Sequence, residues 1–488
     1  MSSNSKMRKT ISNIFAKIET DRKAPKFPYV EGPRPYQIEA YNNWVDNDYK
    51  GLFAMATGTG KTLTSCYCLI EEFKKSNLQK NIIVVPGKEL INQWSDELKL
   101  SNFSTIIKWA SNNSKLNSDI NYIKLLMHDS NLKELNIVIT YDSFVSDKFL
   151  KIFRDKMKDF TVVFDEAHNM GADGFMKILE DIKINKTIGL SATPLRLWDE
   201  NNENIFIESF FKTQPPYTYS YSMEEAIKNG FLCKYHYEPF FVTFTNSEWD
   251  EYLKLTQQLH HKNEGETINT KAALKRQLLK DQAGNKNNAV LEVIKMLVEN
   301  NNFTNTLIYC PKGIDHNLED RYIFLLQDEI KEKFPKINTA TFLGITQGRE
   351  LLLNDFESEK VHMLLAIKCL DEGVNIPKTM NAIFVASGQN YREFVQRRGR
   401  VLRNYETDTF IKEYAHIYDI VVLPSIAQFF NDRSTAERLI ISEFKRLYEF
   451  YDLSSDKFNT YKKIKNELEK YGLTEGYINT MVKNEIIN

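Results

Sequence analysis

The chain has 488 residues, of which 42% are hydrophobic and 26% charged, with a formal net charge of −1. That length exceeds one ordinary hydrophobic core, so two or more domains are expected, and the composition reads as soluble and globular. Near-zero net charge argues neither for nor against a nucleic-acid partner; an electropositive surface would have to be local. No apolar run approaches the ~18 residues a membrane span needs, and no signal-peptide pattern is present, which points to a cytoplasmic protein with no membrane partner. The five cysteines, Cys66, Cys68, Cys233, Cys310 and Cys369, are odd in number and form no C-x-x-C pair, so neither a disulfide framework nor a zinc site is indicated. They read as reduced thiols buried beside strands.

Residues 1–28 form a lysine- and arginine-rich arm, read as a solvated tail or short helix in preference to a phosphate-contacting segment. Short β-branched runs then recur. "GLFAMA" leads into a loop at Thr57, and "NIIVVP", "NIVIT", "FTVVF" and "TIGLS" end at Pro86, Thr140, Asp165 and Ser191. Longer stretches of helical period lie between most of them, such as Thr62–Lys75 and Lys88–Leu98. Strands alternating with helices predict a parallel α/β sheet whose ligands sit beyond the carboxyl ends of the strands, where these polar clusters fall. A first domain is expected over 29–222. The boundary region carries adjacent prolines Pro215 and Pro216.

A second α/β domain is expected over 223–425, with strands in "TLIYC", "INTATF", "HMLLAI", "AIFVAS" and "HIYDIVVL" and a helical segment at about 247–300. The tail, 426–488, reads as helical. Ser434 with Glu437 makes a capping-box pattern ahead of an apolar stripe of Ala436, Ile440, Phe444, Leu447, Tyr448 and Tyr451, expected to pack on the second domain.

The stretch "FAMATGTGKTLT" carries the first chemistry. A strict phosphate loop, G-x-x-x-x-G-K-[ST], has glycine where this chain has Met55. The working part, Thr57–Thr62, is intact. Gly58 and Gly60 let backbone N–H groups turn inward, Lys61 reaches the β/γ-phosphates, and Thr62 can ligate Mg²⁺ at a helix start. The acidic partner is "VVFDEAH", where a hydrophobic strand delivers Asp165 and Glu166 to its carboxyl end. Adjacent carboxylates permit one to hold Mg²⁺ while the other accepts a proton from the attacking water. In "QRRGRVLR", Arg400 and Arg403 stand three apart, hence on one helix face, and Gly399 permits close approach. Arginines at a transferring phosphoryl group can contribute ~10³–10⁵ in rate.

The loop, "DEAH", "SATP" (Ser191–Pro194) and "QRRGRVLR" together resemble the superfamily 2 helicases and translocases. The similarity is to the DEAH-bearing branch that holds the eukaryotic transcription/repair helicase XPB, type I restriction motors and the recombination helicase of T-even phages. It runs from about Arg34 to Leu423. The resemblance implies two tandem RecA-like parallel-sheet domains with a cleft between them, plus the helical insertion and helical tail. It implies ATP and Mg²⁺ as nucleotide and metal. By its motifs, Arg34 and Gln37 in "RPYQ" would read the adenine, and Thr57, Gly58, Thr59, Gly60, Lys61 and Thr62 would cradle the phosphates. Glu372 and Gly373 in "AIKCLDEGVNIP" would approach the nucleotide from the second domain. Lys61, Asp165, Glu166, Gln396, Arg400 and Arg403 form the expected catalytic set, with Thr62 and Asp165 on the metal. His168, Ser191 and Thr193 would couple hydrolysis to nucleic-acid grip. Pro86, Gly87, Thr140, Tyr141, Thr346 and Lys368 would follow the nucleic-acid backbone. Gly87 stands where the family usually has threonine, and Asn375 where it usually has aspartate.

Three functions fit these motifs: an Mg-ATP-driven DNA motor, an RNA helicase, and a nucleotide-gated clamp or sensor that recruits an effector. The resemblance to DNA-acting relatives favours DNA over RNA. No acidic-lysine nuclease cluster lies beyond the two motor domains, so cutting, if any, would come from a partner protein. His260 and His261 read as a solvent-facing helix end, and Trp94 and Trp109 as core residues in preference to base-stacking ones.

Overall fold

In a computed structural model, the structure describes residues 24–109, 116–127, 132–171, 173–194, 203–259, 269–311, 316–344, 346–367, 376–386, 391–474 and 476–477. Most of the N-terminal arm, the His260–His261 pair and the positions Lys368, Cys369, Glu372, Gly373 and Asn375 lie outside them. The chain divides into two units. One comprises residues up to Met55 together with Gly60–Ser222, and the other Ala56–Thr59 together with Met223 onward.

The first unit is built on a seven-stranded sheet. Its strands are β1 (Lys50–Met55), β2 (Gln79–Val85), β3 (Ile106–Trp109), β4 (Glu134–Thr140), β5 (Thr161–Asp165), β6 (Lys186–Ser191) and β7 (Tyr219–Tyr221), in the spatial order β3-β4-β2-β5-β6-β1-β7. Every pairing is parallel. β4 and β5 are buried along their whole length, as strands covered by helices on both faces must be. Phe144, Phe149, Phe153, Phe160 and Phe164 join Ile137, Ile139 and Val162 in one core. β3 and β7 are additions to the expected strands.

Register brings the site together. Thr140 pairs with Val85, Asp165 with Leu190 and Ala54 with Ser191. Thr140, Val85, Asp165, Ser191 and Met55 therefore end neighbouring strands along the carboxyl edge of one sheet. A parallel sheet requires long crossovers, and among the described residues the turns after β1, β2, β4 and β5 lead into helices.

The second unit carries a six-stranded parallel sheet. Its strands are β8 (Lys234–Thr243), β9 (Thr306–Tyr309), β10 (Thr339–Phe342), β11 (Met363–Ala366), β12 (Asn381–Phe384) and β15 (Tyr414–Leu423), in the order β10-β11-β9-β12-β15-β8. A small antiparallel hairpin, β13 (Glu406–Thr407) and β14 (Phe410–Ile411), precedes β15. β8 was not expected as a strand. It holds Pro239, tolerated because β8 is the outer strand of the sheet. The segment after it forms three helices, Asn246–Gln258, Thr270–Asp281 and Asn285–Glu299.

The C-terminal helices, Arg433–Asp452 and Lys457–Lys470, pack on this sheet: the Tyr235 hydroxyl donates to the Phe450 carbonyl, and Thr460 Oγ1 donates to Tyr237 O at 2.6 Å. A buried ionic cluster fastens them. Arg446 donates to Asp419 Oδ1 at 2.9 Å and to Glu443 Oε2 at 2.8 Å, Lys280 to Glu443 Oε1 at 2.5 Å, and Tyr237 to Asp419 Oδ2 at 2.7 Å. Burial alone would raise the Glu443 carboxyl, yet Lys280 and Arg446 outweigh it and hold the group below its ordinary value. One capping expectation is corrected. The helix starts at Arg433, and its cap is Asp432, whose side chain accepts from Thr435 N. Ser434 already lies inside the first turn.

Candidate functional site

In the first unit, β1 ends at Met55 and the helix Lys61–Ser76 begins six residues later. Gly58 and Gly60 adopt φ of +89° and +83°, a left-handed backbone that side chains resist. This is why the loop needs glycine at these two positions. Lys61 Nζ donates to the Met55 carbonyl at 3.3 Å. The partner is a backbone group, so the Met55 side chain, fully buried in the sheet, does not enter the loop's chemistry. The Thr57 hydroxyl is buried without a hydrogen-bond partner. An orphaned donor in a loop of this shape fits an anion such as a nucleotide phosphate.

Beside the loop, Gln37 is 2% exposed. Its Oε1 accepts from Arg34 N at 2.9 Å and its Nε2 lies 3.4 Å from Thr64 Oγ1. Arg34 donates to the Tyr36 hydroxyl at 3.0 Å, and the Tyr36 ring stacks on Tyr221 with centroids 4.4 Å apart. Within the first unit, Gln37 thus reaches the helix that follows the phosphate loop, and Arg34 stands beside Gln37.

Asp165 ends β5 with its carboxylate gripped at both oxygens. Oδ1 accepts from Glu166 N at 3.0 Å and Oδ2 accepts from Trp94 Nε1 at 2.8 Å. Burial raises the Asp165 carboxyl above its usual range, while the Trp94 hydrogen bond and the Lys61 charge oppose that rise. Glu166 sits at φ +47°, a strained backbone for a residue with a side chain. Asn169 supports that turn by donating its side-chain amide to Glu166 O at 3.0 Å. The Thr62 hydroxyl and the Asp165 carboxylate are hard oxygen donors of the kind Mg²⁺ takes, so the residues present fit that ion.

His168 Nδ1 lies 3.5 Å from Glu166 Oε2 and 3.2 Å from Ser191 Oγ. Ser191 Oγ in turn accepts from Thr193 N at 3.1 Å. The three residues expected to couple hydrolysis to grip therefore form one polar chain leading from Glu166. Of the expected tracking positions, Pro86 and Gly87 form the turn into the helix Lys88–Leu100, and Thr140 caps the next short helix by accepting from Ser143 N at 3.3 Å. Tyr141, expected to follow the nucleic-acid backbone, also faces inward. Its ring is buried in the aromatic core, and its hydroxyl donates to Asp165 O at 3.0 Å.

In the second unit, the helix Tyr391–Val401 carries Gln396 and Arg400. Arg403 lies past its end, in a bridge opposite Leu232, so the two arginines share a helix end and not a helix face. They stay close: burial, then the Arg400 charge, lowers Arg403 to about 10. The other two arginines of the motif are structural. Arg397 donates to Ala386 O at 3.0 Å and Arg398 to Glu449 O at 2.8 Å. Lys412, absent from the expected set, donates to Val401 O at 2.6 Å, Pro377 O at 3.0 Å and Arg403 O at 3.2 Å. Its ammonium thereby holds the backbone on both sides of the helix end. Thr346 Oγ1 accepts from Leu343 N at 2.8 Å, closing its own loop. Among the described residues, no helix is long and apolar enough to cross a membrane.

Residues 31–196 match the family described as type III restriction enzyme, res subunit, and residues 285–405 match the helicase conserved C-terminal domain. A DNA 3'-5' translocase XPB2 of Sulfurisphaera tokodaii is 25% identical over 393 residues, covering 78% of this chain and 80% of that protein. Of two further relatives the chain spans 64% and 50% of the length. Among solved structures, the Hef helicase domain of Pyrococcus furiosus superposes with a TM-score of 0.51 at 15% identity, covering 82% of this chain and 97% of that one. The type ISP restriction-modification enzyme LlaBIII bound to DNA gives 0.56 at 17% identity, covering 89% and 31%. These likenesses fix the fold as two RecA-like parallel-sheet units.

Proposed function

We propose that this chain, which belongs to the superfamily 2 helicases and is an ATP-hydrolysing enzyme, is a motor on DNA whose catalytic site is completed by residues of both units. The observation that carries the reading is the carboxyl edge of the first sheet. There the Lys61 charge acts on the buried Asp165 carboxyl, and Glu166 follows it in a strained turn.

In this reading Arg34 and Gln37 hold the base, and the backbone of Thr57–Gly60 with Lys61 holds the phosphates. Thr62 and Asp165 would hold Mg²⁺, which neutralises charge on the phosphate oxygens when bound. Glu166 accepts the proton of the water that attacks the γ-phosphorus; the P–O bond to ADP breaks, leaving ADP and inorganic phosphate. Arg400 and Arg403 stabilise negative charge on the transferring group. Because they belong to the second unit, hydrolysis waits for the units to close, and that cycle moves the chain along the strand. Glu372 and Gly373 would join the nucleotide, and Thr346 and Lys368 the strand, from the second unit. Any cutting of DNA would be supplied by a separate nuclease or effector partner.

ATPase rates measured with no polynucleotide, single-stranded DNA, duplex DNA, forked DNA and RNA test this. Stimulation of about tenfold or more by DNA supports the motor. Equal rates in every tube contradict it, and stimulation by RNA alone overturns the choice of substrate. Glu166→Gln should bind ATP and fail to turn it over.

A further inference from the structure

Two side chains that hydrogen-bond Asp165 come from segments otherwise expected to follow the nucleic-acid strand. Trp94 stands on the helix that starts directly after Pro86–Gly87, and its indole N–H reaches Asp165 Oδ2 at 2.8 Å. Tyr141 follows Thr140 directly, and its hydroxyl reaches the Asp165 main-chain carbonyl at 3.0 Å. Both side chains are buried, Trp94 at 1% exposure. Neither touches solvent where a strand would lie, so neither is a base-stacking residue. Their polar atoms are directed to one acidic residue from the helices that follow two different strands of the same sheet.

Packing alone does not require this chemistry. Phenylalanine would fill the space of Tyr141 and an apolar side chain of indole size that of Trp94, and an indole or phenol in a core brings a polar atom that must find a partner. Here both find a partner in the same residue, one on its carboxylate and one on its main chain. A carboxylate free to rotate would present its oxygens to a metal in many orientations. With Oδ1 fixed by Glu166 N and Oδ2 by Trp94, the plane of the Asp165 carboxylate is set, and each oxygen keeps a lone pair for another partner. Tyr141 fixes the peptide that joins Asp165 to Glu166. A shift of either turn on gripping a strand is therefore passed to the metal-side acid through one hydrogen bond.

We infer that Trp94 and Tyr141 are positioning residues that orient Asp165 and transmit nucleic-acid engagement at the Pro86–Gly87 and Thr140 turns to it. The inference rests on the reading of Asp165 as the Mg²⁺-side carboxylate. It separates two quantities that a purely structural role would leave linked. Metal affinity and the DNA-stimulated rate should fall, while DNA affinity and fold stability stay near wild type.

The test uses the full chain as Trp94→Phe, Tyr141→Phe and the double variant. Mn²⁺ binding in the presence of a non-hydrolysable ATP analogue is read by electron paramagnetic resonance, alongside basal and DNA-stimulated ATPase and DNA binding. Loss of one hydrogen bond to a charged group predicts about tenfold weaker Mn²⁺ binding for Trp94→Phe. Tyr141→Phe, which deletes only the hydroxyl, should lose about tenfold of the DNA-stimulated rate with DNA affinity near wild type. The double variant should lose less than the sum of the two free-energy changes, as residues acting through one group do. Unchanged Mn²⁺ affinity in Trp94→Phe, or an unchanged DNA-stimulated rate in Tyr141→Phe, would overturn the inference. Lys61→Ala and Glu166→Gln distinguish its failure from that of the site reading. If they abolish turnover while the aromatic variants behave as wild type, only the positioning role falls; if they retain turnover, the site assignment falls.

Discussion

His168 Nδ1 and Ser191 Oγ lie 3.2 Å apart, joining the strand-to-helix turn after β5 to the last residue of β6. Both are buried, and Ser191 also holds the backbone of Thr193. Ser191→Ala removes the oxygen that His168 and the Thr193 backbone share without emptying the space. The expected outcome is basal ATPase within about twofold of wild type and about tenfold less DNA unwinding or translocation, the effect of one lost buried hydrogen bond. Parallel assays of ATP turnover and strand displacement check it. Equal loss of both would place Ser191 in the chemistry instead of the coupling.

Met55 departs from a strict phosphate loop without entering the loop's chemistry. Lys61 contacts the Met55 carbonyl, and the side chain belongs to the core. Met55→Gly restores the usual pattern and opens a cavity, so it should lower stability by roughly 2–5 kcal/mol while leaving the KM for ATP within about threefold. Denaturant unfolding and steady-state ATPase check the two halves of this expectation. A large gain in activity would show that the methionine restrains the loop.

The legible parts of the fold were those whose signal is local. Phe53–Thr64 announces a strand, a glycine turn and a helix within twelve residues, and the apolar run before Asp165 announces a buried strand. β8 was missed because "KYHYEPFFVT" contains Glu238 and Pro239, and only its place at the outer edge of the second sheet makes them acceptable. β3 and β7, four and three residues long, carry too little pattern to stand out from their surroundings. The Trp94–Asp165 bond joins residues 71 apart in sequence, and no spacing rule reaches that far. Lys412 is a similar case, a lysine in a polar stretch whose acceptors are Pro377 and the helix end at Val401 and Arg403. Ser434 against Asp432 shows the limit of capping patterns, since both residues can cap and the chain's entry angle decides.

Lys412 also gives a pH signature. It is 3% exposed, and burial lowers it from 10.5 to about 8. A base lowered in the folded state binds fewer protons there than in the unfolded chain between those two values. The stability it contributes therefore rises as pH increases from about 8 to 10.5, by about 3 kcal/mol at most. Lys412→Met has no such linkage. Unfolding free energies of the two proteins, compared at pH 7.5 and pH 10, should diverge in favour of wild type at the higher pH. A constant difference across that interval would contradict the buried, strained ammonium.

The central claim is that arginines of the second unit complete a site begun by Lys61, Asp165 and Glu166 in the first. Its most direct test is the DNA-stimulated ATPase of Arg400→Ala, measured together with ATP affinity. The account predicts a fall in kcat of about 10³ or more with ATP binding changed only modestly, because the guanidinium acts on charge that develops during transfer. Hydrolysis at the wild-type rate by that variant, under DNA saturation, would contradict it.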